Sequence, residues 1–89
     1  MNRQEFAQTV VRMGVPVTSY SLFGGLPDEK YVLSVEDDAW WVYFADGARR
    51  LDEQRFDTEH EACEELLLRL TRDPLARRPW VGSEATNTR

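Results

Sequence analysis

Residues 37–50 read DDAWWVYFADGARR, and the reading of this stretch decides the fold. Successive side chains of a strand point to opposite faces of a sheet. Trp40, Val42 and Phe44 therefore share one face, and Trp41 and Tyr43 the other. Asp46-Gly47 is a hairpin signal for a type I′ turn, whose two central residues need positive φ. The acidic pair Asp37-Asp38 predicts a second tight turn upstream. The stretch is thus a strand between two turns, and two neighbouring tryptophans cannot both enter one core.

Working outward, Tyr31, Leu33 and Val35 alternate with Val32, Ser34 and Glu36, which predicts a preceding strand. A more polar strand follows from about Ala48 to Phe56, where Arg49, Arg50 and Arg55 suit an edge that resists further pairing. Thr58-Glu59-His60-Glu61 fits a capping box, with Thr58 as N-cap and Glu61 reaching back to its amide. Ala62, Cys63, Leu66, Leu67 and Leu70 form the apolar stripe of that helix, which Pro74 ends at about Arg72 or Asp73. Near the N-terminus, Phe6, Val10 and Met13 lie on one face of a helix over about 2–13, closed by Gly14 and Pro16. Residues 15–30, with two prolines and Gly24-Gly25, predict a connection anchored by Val17, Tyr20, Leu22 and Leu26.

The order is helix, three-stranded antiparallel meander, helix: an α+β, two-layer αβββα fold. The domain is expected over 1–76. Residues 77–89 are expected to form a polar, partly disordered tail. Helices cover one sheet face only. With Trp40 on that face, Trp41 and Tyr43 stand on the open one. Two arrangements would change this: a reversed register, or a tail folded back so that Trp80 and Val81 bury the open face.

The chain has 89 residues and a formal charge of −5. A single small core is all that this length builds. The charge is uneven. Asp28 to Glu65 holds thirteen acidic and four basic side chains, and from Leu66 onward five arginines face two carboxylates. An acidic middle repels phosphate backbones and attracts basic partners. Direct nucleic-acid binding is therefore not expected, despite arginines and aromatics on the strands. No secretory signal and no run of 18 apolar residues is visible, so no membrane span is expected. A single cysteine suits a reducing compartment, and the cytoplasm is the expected location.

Catalytic chemistry has little to stand on. His60 is the only histidine. It lies three residues from Cys63, but no nucleophile motif names it as a base, and four glutamates surround the thiol. His60 and Cys63 alone are too few for a metal, and Gly24-Gly25 lacks the spacing of a phosphate-binding loop. No catalytic residue, metal ligand or cofactor is expected. The candidate is a protein-binding face: Trp41 and Tyr43 at its centre, with Asp37, Asp38, Asp46 and Glu53 around them, suited to a basic partner. A homodimer through the same surface is the other use of such a face. The acidic helix start around Glu59, Glu61 and Glu65 is the second candidate surface.

Several short pieces carry a resemblance over about residues 19–72. They are Ser19-Tyr20-Ser21-Leu22, the run Gly24-Gly25-Leu26-Pro27-Asp28-Glu29-Lys30-Tyr31-Val32-Leu33, then Trp40-x-Val42-Tyr43, and Arg55-Phe56-Asp57-Thr58-Glu59-x-Glu61-Ala62-Cys63. The pattern resembles small bacterial immunity proteins encoded beside polymorphic secreted toxins. Trp41 departs from it, since a polar residue is expected between Trp40 and Val42. The resemblance implies stoichiometric binding that neutralises a cognate toxin, and it carries no functional residues over. The alternative is a non-catalytic regulatory or interaction subunit with no toxin partner.

Overall fold

The computed structural model describes residues 1–73. Helix α1 spans Arg3–Arg12, and a 3₁₀ turn covers Val17–Ser19. Strands β1 (Tyr20–Ser21), β2 (Lys30–Glu36), β3 (Ala39–Asp46) and β4 (Arg49–Phe56) follow, and helix α2 spans Glu59–Arg72. The fold is α+β, with two helices on one mixed sheet. The sheet has four strands in the order β1-β2-β3-β4, not the three expected. The additional strand, β1, runs parallel to β2. Two residues inside a Pro- and Gly-bearing connection are too few to show alternation, so the sequence carries no sign of it. The expected domain boundary at 76 and the tail with Trp80 and Val81 lie outside the described residues.

Local chemistry sets the element ends. Asn2 caps α1 in a complete capping box: its side chain accepts from the Glu5 amide, and the Glu5 carboxylate accepts from the Asn2 amide. At α2 only half the expected box forms. Thr58 Oγ1 accepts from the Glu61 amide, while the Glu61 carboxylate takes the Thr58 hydroxyl instead of the backbone N–H. Asp37 and Asp38 both adopt positive φ, at 51° and 63°, as a type I′ turn requires. The second hairpin closes one residue later than expected. Asp46 pairs with Arg49, leaving Gly47 and Ala48 as the turn. Only Gly47 there takes positive φ, the combination that a type II′ turn uses.

The main core lies between the helices and one sheet face. Phe6 and Val10 of α1 meet Leu33, Val42, Leu66 and Leu70, with Trp40 and Phe56 packed at its border. Each fully buried aliphatic side chain contributes on the order of 1.5–3 kcal/mol. Trp40 therefore belongs to the helix side and Trp41 to the other side, the register expected from the alternation. Tyr20 and Leu22 are buried anchors of the connection, but Val17 and Leu26 are exposed. At the end of α2, the Tyr31 hydroxyl donates to Asp73 over 2.9 Å.

Candidate functional site

The sheet face away from the helices is not bare. Val32, Tyr43 and Ala45 form a second small core there, with Trp41 packed beside them. Its roof is the segment between β1 and β2. The Gly24 amide donates to the Leu33 carbonyl over 3.0 Å, which ties the segment to β2. Gly25 then lies over the face, where its carbonyl accepts the Tyr43 hydroxyl at 2.6 Å. Asp28 accepts from the Gly47 amide at the far hairpin. Gly24 is required at this crossing: its φ is +73°, and a Cβ there would sit 2.8 Å from Ser34 Oγ.

The uncovered half of the face carries a charged network built by a bulge. Val42 pairs with Gln54 but Phe44 with Leu51, so Asp52 and Glu53 together oppose Tyr43. Asp52 absorbs the extra residue with φ of +51°. In a regular strand Arg50 and Glu53, three apart, would fall on opposite faces. The bulge puts them on the same one. Arg50 lies over the Tyr43 ring, 3.9 Å from guanidinium to centroid, and 5.9 Å from the Trp41 ring. Its Nη1 donates to both Glu36 oxygens at 3.1 Å. Its Nη2 is 2.7 Å from Glu53 Oε2 but is not aligned for a hydrogen bond, so that contact is Coulombic. Ser34, itself buried, donates to Glu36 over 2.7 Å. That bond, followed by Arg50, holds the Glu36 carboxyl below the usual glutamate range against the opposing effect of burial. Burial pushes the Tyr43 phenol above its ordinary value.

The expected site residues separate accordingly. Trp41 is partly buried on the expected face, with its indole N–H enclosed and lacking an acceptor among the described residues. Tyr43 shares that face but is 1% exposed, covered by Gly25 and Arg50. It is a buried support and presents nothing to a partner, which corrects its expected place at the centre. Glu53 is on this face, engaged with Arg50. Asp37 and Asp38 are exposed at the β2–β3 turn, and among the described residues neither forms an ion pair. Asp46 lies at the opposite end of β3, about 25 Å away at ~3.3 Å per residue, and pairs with Arg49 at 3.3 Å. It does not join the others around one surface. Arg50, Ser34 and Glu36 complete the arrangement and were missed. The arginine reads as an edge guard, and only the Asp52 bulge, which no residue announces, turns it onto the Tyr43 ring.

Asp37 and Asp38 have other company. Trp40 pairs with Phe56, and Glu36 with Ala39, so the β2–β3 turn lies at the end of the sheet where β4 leads into α2. Asp57, Glu59 and Glu61 lie at that end. Arg55 pairs with Asp57 at 2.8 Å and Arg3 with Glu59 at 3.5 Å, leaving the end acidic on balance. His60 is exposed there and contacts the N-terminal amine of Met1. Cys63 points into the core, where burial pushes its thiol up to about 11. The two side chains form no joint site. Among the described residues no three His, Cys, Asp or Glu side chains gather as metal ligands would, and no helix is long and apolar enough to cross a membrane. Against protein-family models, curated proteins and solved structures, the chain finds no match.

Proposed function

We propose that this protein is a non-catalytic binding module that neutralises a cognate toxin stoichiometrically in the cytoplasm of the cell that makes both. The observation that carries this reading is the acidic end of the sheet. Asp37 and Asp38, which form no ion pair among the described residues, stand at the end of the sheet where β4 leads into α2, and Trp41 is partly exposed on the adjoining face. Unpaired carboxylates on a well-formed turn speed encounter with a basic surface, and a supported aromatic beside them slows release. The resemblance to immunity proteins supports the same job. The partner surface is then the Trp41 edge with the acidic end, and Tyr43 acts beneath it.

Co-expression tests this directly. The product of the adjacent gene should arrest growth alone and be harmless when this protein is present. An adjacent product that is harmless alone removes the toxin reading and leaves the interaction-subunit alternative. In a purified complex, Asp37→Asn with Asp38→Asn should slow association and flatten its salt dependence, since Asn keeps the positive-φ turn while removing charge. Trp41→Ala should weaken affinity by about 2 kcal/mol or more, and Trp40→Ala should act mainly on stability. Unchanged affinity in both the Asn pair and Trp41→Ala would move the contact surface elsewhere.

A further inference from the structure

The segment that roofs the second core is fastened to it without entering it. Residues 23–29 leave buried Leu22, and the chain rejoins the sheet at Lys30, the first residue of β2. Between these ends the segment crosses β2 at the Gly24–Leu33 bond and β3 at the 2.6 Å Tyr43–Gly25 bond. It reaches the β3–β4 hairpin at the 3.3 Å Gly47–Asp28 bond. Beneath it Val32, Tyr43 and Ala45 are at most 1% exposed. Yet none of residues 23–29 is itself buried. Gly24 and Pro27 are partly covered and the other five are exposed, Phe23 and Leu26 among them. The cover is backbone held by single hydrogen bonds, with its large apolar side chains in solvent. It is also strained where it ends. Glu29 has φ of +53°, a region that a residue with a Cβ rarely adopts, while Gly24 and Gly25, at +73° and +86°, change conformation freely.

We propose that residues 23–29 form a strap that opens as one unit between Leu22 and Lys30 and bares Val32, Tyr43 and Ala45 while the main core stays folded. Regions with little buried apolar surface and few, exposed hydrogen bonds open at less cost than global unfolding. The strap has that character, and the rest of the fold does not depend on it. Phe6, Val10, Val42 and Leu66 pack on the other sheet face. The β2–β3 and β3–β4 ladders run beneath the strap and lose no bond when it lifts. Lifting breaks three hydrogen bonds, releases the Glu29 conformation and exposes one small cluster. With the strap closed, only Trp41 of the second core's aromatic residues is partly exposed. With it open, Val32, Tyr43 and Trp41 form one surface. The strap thus sets how much apolar face the sheet shows, and this holds whatever the protein binds.

Thiol labelling of the purified full chain tests this. Cys63→Ala removes the native thiol, and Val32→Cys in that background places a new one under the strap. Ala45→Cys is the second reporter should Val32→Cys not fold. Each labelling rate, divided by that of the unfolded chain, is compared with the global unfolding constant of the same variant from urea denaturation. The thiol under the strap should label about tenfold or more faster than global unfolding allows, and its rate should hardly change in low urea, because lifting a strap exposes little surface. Hydrogen exchange reads the same opening in the unaltered chain. The Gly24 amide, bonded to the Leu33 carbonyl, should exchange with little dependence on urea, and the Leu66 amide, inside α2, with a steep one. Val10→Ala loosens the main core only, so it should speed Leu66 exchange by about tenfold or more and leave Gly24 within about twofold. A thiol under the strap that labels no faster than global unfolding allows overturns the proposal, as does a Gly24 amide that follows Leu66 in urea and in Val10→Ala. Fast Gly24 exchange above a protected thiol also overturns it, since the segment would then fray over a closed core. The measurements need no toxin, so their failure leaves the proposed function where it stood.

Discussion

Replacing Gly24 by alanine should destabilise the domain by about 3 kcal/mol, far more than a methyl group at a partly exposed loop position ordinarily does. Two costs add. Alanine at φ of +73° is strained by about 1–2 kcal/mol. The new Cβ would also lie 2.8 Å from Ser34 Oγ, so the hydroxyl must leave its place. Displacing it breaks a 2.7 Å bond to the Glu36 carboxylate, worth about 1.5–3 kcal/mol for a charged acceptor. Reduced freedom of the unfolded chain offsets about 0.4–1 kcal/mol. Urea denaturation followed by tryptophan fluorescence reads the difference, and the thermal midpoint should fall by roughly 12–24 °C for a domain of this size. Ser34→Ala removes the obstructing oxygen and leaves a Cβ contact near 3.4 Å. The double variant should therefore be more stable than the two single losses summed, by about 1.5–3 kcal/mol, because the Ser34–Glu36 bond is lost once and not twice. If Gly24→Ala costs under about 1 kcal/mol, or if the two changes add within about 0.5 kcal/mol, the loop does not press on Ser34 as described.

Four other outcomes follow from the same contacts. Arg50→Met keeps bulk over Tyr43 but strands Glu36 and Glu53; with the arginine a quarter exposed, the loss should be about 1–2 kcal/mol in urea denaturation. Glu36 is held below its ordinary value when folded, so its contribution is present above that value and is lost as pH falls through the folded one. Ser34 and Arg50 both lower the folded value, so Ser34→Ala and Arg50→Met should each flatten the acid side of the stability–pH curve. Tyr31 is pushed up to about 12, first by burial and then by its bond to Asp73. Its neutral form is favoured in the fold, so stability is whole below about pH 10 and is lost as pH rises toward 12, and Tyr31→Phe should remove that alkaline loss at a cost of about 1 kcal/mol at neutral pH. The Cys63 thiol should react with a disulfide reagent at pH 8 only as fast as the core opens, and rapid labelling of the folded protein would contradict its burial.

What was legible in the sequence follows the range of each signal. The helices, the two long antiparallel pairings and the side to which each tryptophan points are set by local period and by turn chemistry within a few residues. Thr58, Asp37-Asp38 and Pro74 are such local signals. The covering of the second sheet face is not local. It depends on Gly25 meeting Tyr43, eighteen residues away, and on Gly24 fitting against Ser34. Alternation says only that Tyr43 leaves the helix side; it cannot say what waits there. The bulge is hidden for a related reason. Asp52 tolerates positive φ, but an aspartate in a polar strand looks the same whether or not it does so. Asp46 and Asp37 are near in sequence and both acidic, yet a continuous strand between them keeps them at opposite ends of the sheet.

The roof over Tyr43 changes what kind of surface the protein can offer. A three-stranded sheet open on one side would expose Val32, Tyr43 and Trp41 together, a flat apolar area that invites aggregation. This chain closes most of it with eight connecting residues and one arginine. Arg50 suits the task better than an aliphatic residue, because its planar group covers the Tyr43 ring while its edges stay paired with Glu36 and Glu53. The cover is therefore apolar beneath and charged above. Trp41 lies at its margin, packed against the second core but not roofed over. The consequence is directional. With the middle of the face occupied, the proposed partner surface is the Trp41 margin and the adjoining end of the sheet, where Asp37 and Asp38 are held out on a turn that fixes their backbone. On that proposal recognition uses a charged tip backed by one supported ring, and the strength of that ring's support depends on Arg50 and Gly24, which a partner need not touch.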